Sequence, residues 1–421
     1  MFDNIIEDLK WRGLLNDITS EEEILKLPKG SAVYGGFDPS APSLQIGNLV
    51  AVLNLARFAS YGFNVIGLYG GATGAIGDPK AQAERVLQSM EQVKFNVNSQ
   101  KRKLTEIYER LGVKVDFVNN YDWFKSINFL EFLRDVGKHF SVGYMTAKDT
   151  VKKRLETIGI SYAEFSYMLI QAYDYCYLFE KKNCVIQIGG SDQWGNITSG
   201  VELIRRKHGK SVHALTTPLL TDAEGKKLGK SEGGFVVWLD ENYLSPYKFY
   251  QWLLNTQDDI VIKLLKALTF LSKEEIEALE VTVKENPEKR EAQKVLAKEV
   301  TTIVHGEAQT ELAIKASNVL FGGSIEGLDE KSLIDIFSDV PSSSMNSEEV
   351  KSSTASDLFV KTHMASSKGE IKRLIQNGGA YINNQKLGSP DSKLSDIKLQ
   401  FNNIVILRSG KKSYHLIKIS D

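Results

Sequence analysis

Two glycine-bracketed segments carry side chains suited to handling a polyphosphate. The first, Gly35-Gly36-Phe37-Asp38-Pro39-Ser40-Ala41-Pro42-Ser43-Leu44-Gln45-Ile46-Gly47-Asn48, reads as a strand, a Gly/Pro turn and the start of a helix. Free backbone N–H groups at a helix start attract anions, Gly47 lets a flat ring lie against the backbone, and Gln45 and Asn48 offer N–H donors one turn apart. The second, Lys226-Lys227-Leu228-Gly229-Lys230-Ser231-Glu232-Gly233-Gly234, places Lys227 and Lys230 three apart on a loop that can close on phosphates. Cations there neutralise charge as it moves to a leaving group. Each segment alone fits a bland reading equally well, as a structural turn or a solvated lysine-rich loop. A third pattern is Tyr167, Gln171 and Asp174, at i, i+4 and i+7. Three polar groups on one helix face where a core helix is apolar read as a pocket wall.

These residues need a scaffold, and residues 31–240 supply its pattern. Short apolar or β-branched runs at 32–34, 65–69, 185–188 and 235–239 alternate with helical stretches, which predicts a parallel sheet with crossover helices. Residues from about 247 to 320 read as helical. Ser272 with Glu275 forms a capping box, and Asn286-Pro287 through His305-Gly306 gives a helix with N-cap, N1 proline and glycine stop. The Ser-rich and acidic stretch 340–349 reads as a linker. After it, Ser367 caps a short helix with Ile371, Leu374 and Ile375 inward, and Tyr381-Ile382 begins a strand.

The 421 residues carry 52 Lys+Arg against 53 Asp+Glu, a net charge of −1 that argues against a polyanionic partner. The distribution reverses that argument. Residues 353–421 hold eleven Lys/Arg and five Asp/Glu, so the tail is +6 and residues 1–352 are −7. A basic module on an acidic body suits binding to a polyanion. The acidic start and the lack of a long apolar run predict a soluble, cytoplasmic chain with no membrane partner. Cys176 and Cys184 are the only thiols and the six His do not fall at metal-ligand spacing, so neither disulfide nor structural zinc is expected.

The two phosphate-handling segments resemble the HIGH and KMSKS signatures of class I aminoacyl-tRNA synthetases, written here as Gln45-Ile46-Gly47-Asn48 and Lys227-Leu228-Gly229-Lys230-Ser231. With residues 70–79, 167–174 and 187–196, the resemblance is to bacterial-type tyrosyl-tRNA synthetases over nearly the whole chain. It implies an α/β architecture: a Rossmann-like parallel-sheet catalytic domain over 1–240, a mostly helical anticodon-binding domain over 241–322, a linker over 323–352, and a small α+β S4-like RNA-binding domain over 353–421.

The resemblance also implies roles. Tyr34 and Asp174 grip the phenolic hydroxyl of L-tyrosine, Asp78, Tyr167 and Gln171 hold its ammonium, and Gln193 lies near its carboxylate. Asp38, Gly47, Asn48, Gly190, Asp192 and Leu220 bind ATP, while Ser40, Gln45, Lys227 and Lys230 surround its phosphates, with Mg²⁺ sharing their charge. The implied partners are tRNA(Tyr) and a second copy in a homodimer. The family usually has His where Gln45 and Asn48 stand, and Lys80 stands near a position where it commonly has a basic residue. Gly35 removes a side chain near the ribose. Trp123 and Trp194 are expected to pack a core or subunit interface. On the residues alone, a nucleotidylyltransferase and an RNA-binding paralogue without activity remain open.

Overall fold

Five short apolar runs form one parallel sheet in the computed structural model: β1 (Ala32–Phe37), β2 (Asn64–Tyr69), β3 (Val115–Asn119), β4 (Cys184–Gly190) and β5 (His213–Thr217), in the order β3-β2-β1-β4-β5. The described residues are 2–79, 87–222, 224–226, 228–229, 235–319, 323, 325, 327–328, 330–338, 340–394, 403–410 and 413–420. Lys80, Lys227 and Lys230 lie outside them. The order reverses between β1 and β4, and ligands of such sheets bind beyond the strands' carboxyl ends at that reversal. The expected Rossmann-like fold is therefore present. The four runs read from the sequence supply β1, β2 and β4 only: residues 235–239 form no named strand, Trp238 making an isolated bridge to Gln45, and Val115–Asn119 and His213–Thr217 complete the sheet.

Two compact units divide the chain: Met1–Tyr243 with Thr256–Val304, and Leu244–Asn255 with His305–Asp421. The helices of 256–304 thus belong with the sheet and not with a separate helical domain. Two buried arginines explain this. Arg57, on the helix Ile46–Ser60, donates to the carbonyls of Ala267 and Thr269 at 3.0 and 2.8 Å, and Arg12 donates to Lys266 and Leu271 at 3.0 and 2.9 Å. Together they satisfy the carbonyl end of the helix Asp258–Leu268, where cations are favoured. The Ser272/Glu275 capping box forms as read. The next helix starts later than expected, at Glu291, because Pro287–Lys289 is a 3₁₀ turn that ends on Arg290 at φ +52.

In the second unit, β6 (Ser342–Asn346), β7 (Ala380–Ile382), β8 (Gln385–Lys386), β9 (Ile404–Ser409) and β10 (Ser413–Ser420) form a sheet ordered β6-β10-β9-β7-β8. The segment 323–352 is accordingly not a linker. It holds the helix Glu330–Ile336, strand β6 parallel to β10, and the helix Ser347–Ser352. An edge strand shows little hydrophobic pattern, and of β6 only Met345 is buried. Ser367 caps the helix Lys368–Gln376 with Ile371 and Ile375 inward, and β7 follows, as the sequence indicates.

Candidate active site

A cavity of about 450 Å³ opens at the carboxyl ends of β1 and β4. Alternation along β1 turns Tyr34 and Gly36 into it, while Gly35 faces the other way, its Cβ position 3.3 Å from Leu55 and 3.5 Å from Ile188. Gly35 therefore makes room for the helix Ile46–Ser60, and Gly36 is the glycine beside the ligand space. The helix Tyr162–Lys182 contributes Tyr167, Gln171 and Asp174 to the wall as its spacing predicts.

Three buried or half-buried carboxylates organise the interior, each held by donors from other elements. Asp174 accepts from the Trp123 indole N–H at 2.9 Å and from the Asn120 amide at 3.0 Å. Burial still pushes its carboxyl up to about 8. Asp38 accepts from the hydroxyls of Thr73 at 2.8 Å and Tyr167 at 2.6 Å. Asp78 accepts from the amides of Gln193 at 2.9 Å and Asn196 at 3.1 Å, and burial raises it to about 6. Against these stand three polar atoms with no hydrogen-bond partner among the described residues, the buried Tyr34 hydroxyl, Gln171 Oε1 and Gln187 Oε1. Buried polar atoms are nearly always paired, so three orphans lining one cavity are places for a ligand's polar groups.

The phosphate-side residues also converge. Ser40, Gln45, Gly47 and Asn48 line the cavity with Gly190, Asp192, Leu220 and Leu228. Gln45 donates its backbone N–H to Asn48 Oδ1 at 3.0 Å, closing the helix start. Nothing lies within 4 Å of a Cβ built on Gly47, so that face of the backbone is open to a flat group. The second motif reaches the first: Val237 donates to the Gly229 carbonyl at 3.1 Å, and Ile46 donates to the Val237 carbonyl at 2.9 Å. Of the binding and catalytic residues read from the sequence, all those among the described residues line one cavity.

The residues that hold the carboxylates were not legible as such. Trp123 is buried and stacks on Tyr177 at 4.4 Å, as a core residue should, yet its N–H is committed to Asp174. Asn120 bridges Asp174 and the Thr73 hydroxyl, the latter at 3.1 Å. Gly70 is needed because a Cβ there would stand 2.1 Å from Asp38 Oδ1. Gln187, from β4, completes the lining.

A doubly wound parallel sheet, with its cavity at the strand-order reversal and a Gly/Pro turn feeding a helix beside it, defines a nucleotide-binding α/β enzyme of the Rossmann-like class. Its family follows from comparison with known proteins. Residues 28–322 match the model for tRNA synthetases class I (W and Y), and the chain belongs to that family. Residues 332–417 match the tyrosine–tRNA ligase SYY-like C-terminal domain, a boundary that includes β6. The chain is 46% identical to the tyrosine–tRNA ligase of Cytophaga hutchinsonii over 428 residues, covering 99% of this chain and 100% of that one. It is 47% identical over 424 residues to that of Staphylococcus epidermidis, covering 99% of each. Among solved structures, the C-terminally truncated mitochondrial tyrosyl-tRNA synthetase of Aspergillus nidulans superposes with a TM-score of 0.69 at 30% identity, covering 76% of this chain and 95% of that one.

Proposed function

We propose that the chain is a tyrosine–tRNA ligase, which joins L-tyrosine and ATP into tyrosyl-adenylate and pyrophosphate and then transfers tyrosine to the 3′ end of tRNA(Tyr). The observation that carries the choice of amino acid is the orphan hydroxyl of Tyr34 in the same cavity as the buried Asp174 carboxyl. A phenol accepts from Tyr34 and donates to Asp174, pairing both. Phenylalanine leaves the Tyr34 hydroxyl unpaired and Asp174 with only its two protein donors, and tyrosyl-tRNA synthetases are themselves the standard instance of discrimination by such a loss.

The other groups follow from that placement. The ammonium lies among Asp78, Tyr167 and the orphan Gln171 Oε1, with Gln193 toward the carboxylate. Asp38, Gly47, Asn48, Gly190, Asp192 and Leu220 hold the nucleotide. Ser40, Gln45, Lys227 and Lys230 meet its phosphates. One carboxylate oxygen of tyrosine attacks the α-phosphorus in line and the bond to the β-phosphate oxygen breaks, so pyrophosphate leaves with its electron pair. No side chain serves as nucleophile or base. Positioning and neutralisation of the departing charge do the work. Mg²⁺ arrives on ATP as part of the substrate, carried by its phosphates and keeping several waters.

Two partners complete the reading. The basic stretch 353–421 docks the phosphates of tRNA(Tyr), and its binding weakens with added salt. A second copy covers the apolar side chains that the first unit leaves exposed between 129 and 162, among them Leu130 at 72% and Val142 at 68% exposure. No helix among the described residues is long and apolar enough to cross a membrane, and substrates such as ATP and tRNA place the work in the cytoplasm. Charging of tRNA(Tyr) transcripts with radiolabelled tyrosine tests the proposal. Charging of tRNA(Tyr) alone supports it, and charging with another amino acid, or none, removes it.

A further inference from the structure

Away from the cavity, three metal-ligating atoms meet on the outer side of the same helix. Cys176 and Glu180 are one turn apart on the helix Tyr162–Lys182, and His208 is the last residue of the helix Trp194–His208. Cys176 Sγ lies 3.5 Å from Glu180 Oε1 and 3.5 Å from His208 Nε2, and those two atoms are 2.9 Å apart. Sequence spacing hid the group, because His208 comes from a different helix.

The edges of this triangle decide what it can hold. Zn–S bonds of about 2.3 Å with Zn–N and Zn–O bonds of about 2.0–2.2 Å give tetrahedral S···N and S···O edges of about 3.5 Å and an N···O edge of about 3.4 Å. Two edges already match, and the third opens by about 0.5 Å when the present hydrogen bond gives way to a shared ion. The site already gathers positive charge. Lys207 Nζ stands 2.8 Å from Glu180 Oε1 and 3.9 Å from Cys176 Sγ. Its side chain is 27% exposed, so it can swing into solvent and yield its place. The His208 ring is braced by Phe179, centroids 5.5 Å apart.

We propose that Cys176, Glu180 and His208 form a binding site for one zinc-class divalent cation, with water as the fourth ligand. Binding releases the thiol proton to solvent, because the thiolate is the ligand. The ion ties together two helices that also carry Gln171, Asp174 and Asn196, so it is a clamp behind the cavity wall and touches no substrate.

Co²⁺ titration of the full-length protein tests this, since a thiolate on tetrahedral Co²⁺ gives a charge-transfer band and intense visible absorption. The expected result is one Co²⁺ per chain, displaced by Zn²⁺, with Zn²⁺ raising Tm. Cys176→Ser should abolish the band while Cys184→Ser keeps it, and His208→Gln, an exposed change that spares the fold, should weaken binding by roughly tenfold or more. Tyrosine-dependent pyrophosphate exchange should stay unchanged in Cys176→Ser. Absence of the band in the unaltered protein, its survival in Cys176→Ser, or undiminished binding in His208→Gln overturns the proposal.

Discussion

Gly229 and Ile46, 183 residues apart in the chain, are in contact range of a single methyl group: a Cβ on Gly229 would stand 2.6 Å from Ile46 Cγ2, at a backbone φ of +89. That is how the lysine-bearing loop and the Gln45-Ile46-Gly47-Asn48 turn share one cavity. Both the positive φ and the close approach require glycine.

Gly229→Ala should therefore damage activation and spare amino-acid binding. Strain at such a position costs of order 1–3 kcal/mol, which slows pyrophosphate exchange by ~10-fold or more if it falls on the catalytic arrangement. Equilibrium dialysis with tyrosine should change by less than about twofold, because Tyr34 and Asp174 stand on other elements. Equal loss of both would place Gly229 in general folding.

Asp174 sets a pH signature. Burial keeps its carboxyl protonated up to about 8 in the empty cavity, whereas the unfolded chain ionises it near about 4. Between those values the folded chain binds the extra proton, so this group makes unliganded stability fall as pH rises, levelling above about 8. A phenol donating to Asp174 favours the ionised form, so tyrosine binding should release a proton and tighten as pH rises from about 6.5 to 8. That window lies above the value of about 6 for Asp78. Calorimetry in two buffers measures the release. Asp174→Asn should remove it, and Trp123→Phe, which deletes a donor to the carboxylate, should move the profile to higher pH. A pH-independent affinity would count against this role for Asp174.

How far the sequence discloses the site depends on whether a residue's role is local. Gly47 at a helix start, or Tyr167, Gln171 and Asp174 on one face, declare themselves within a few turns. Trp123 and Asn120 do not, because the carboxylate they hold lies 51 and 54 residues away in the chain. The strand His213–Thr217 escaped notice because every residue in it is buried and five residues leave no alternation to read. β6 escaped for the opposite reason, being an exposed edge.

The place of β6 also changes where the chain can be cut. Ending it after residue 352 removes β10, the strand that β6 pairs with, and should give a protease-sensitive product. Ending it at residue 322, where the class I synthetase match stops, should leave pyrophosphate exchange within about threefold while tRNA charging falls by ~100-fold or more, as expected when phosphate contacts are lost. Limited proteolysis and the two assays check this, and equal loss of both activities at 322 would count against separate roles for the residues before and after 322.

The central claim is that the paired demand of Tyr34 and Asp174 selects tyrosine. It is tested most directly by kcat/KM for pyrophosphate exchange with tyrosine and with phenylalanine, in the native chain and in Tyr34→Phe. The expected result is exchange with tyrosine, a strong preference over phenylalanine, and a preference reduced by ~10-fold in the variant, the cost of about 1.4 kcal/mol for one lost hydrogen bond. Exchange with phenylalanine as fast as with tyrosine in the native chain, or a preference untouched by Tyr34→Phe, would contradict it.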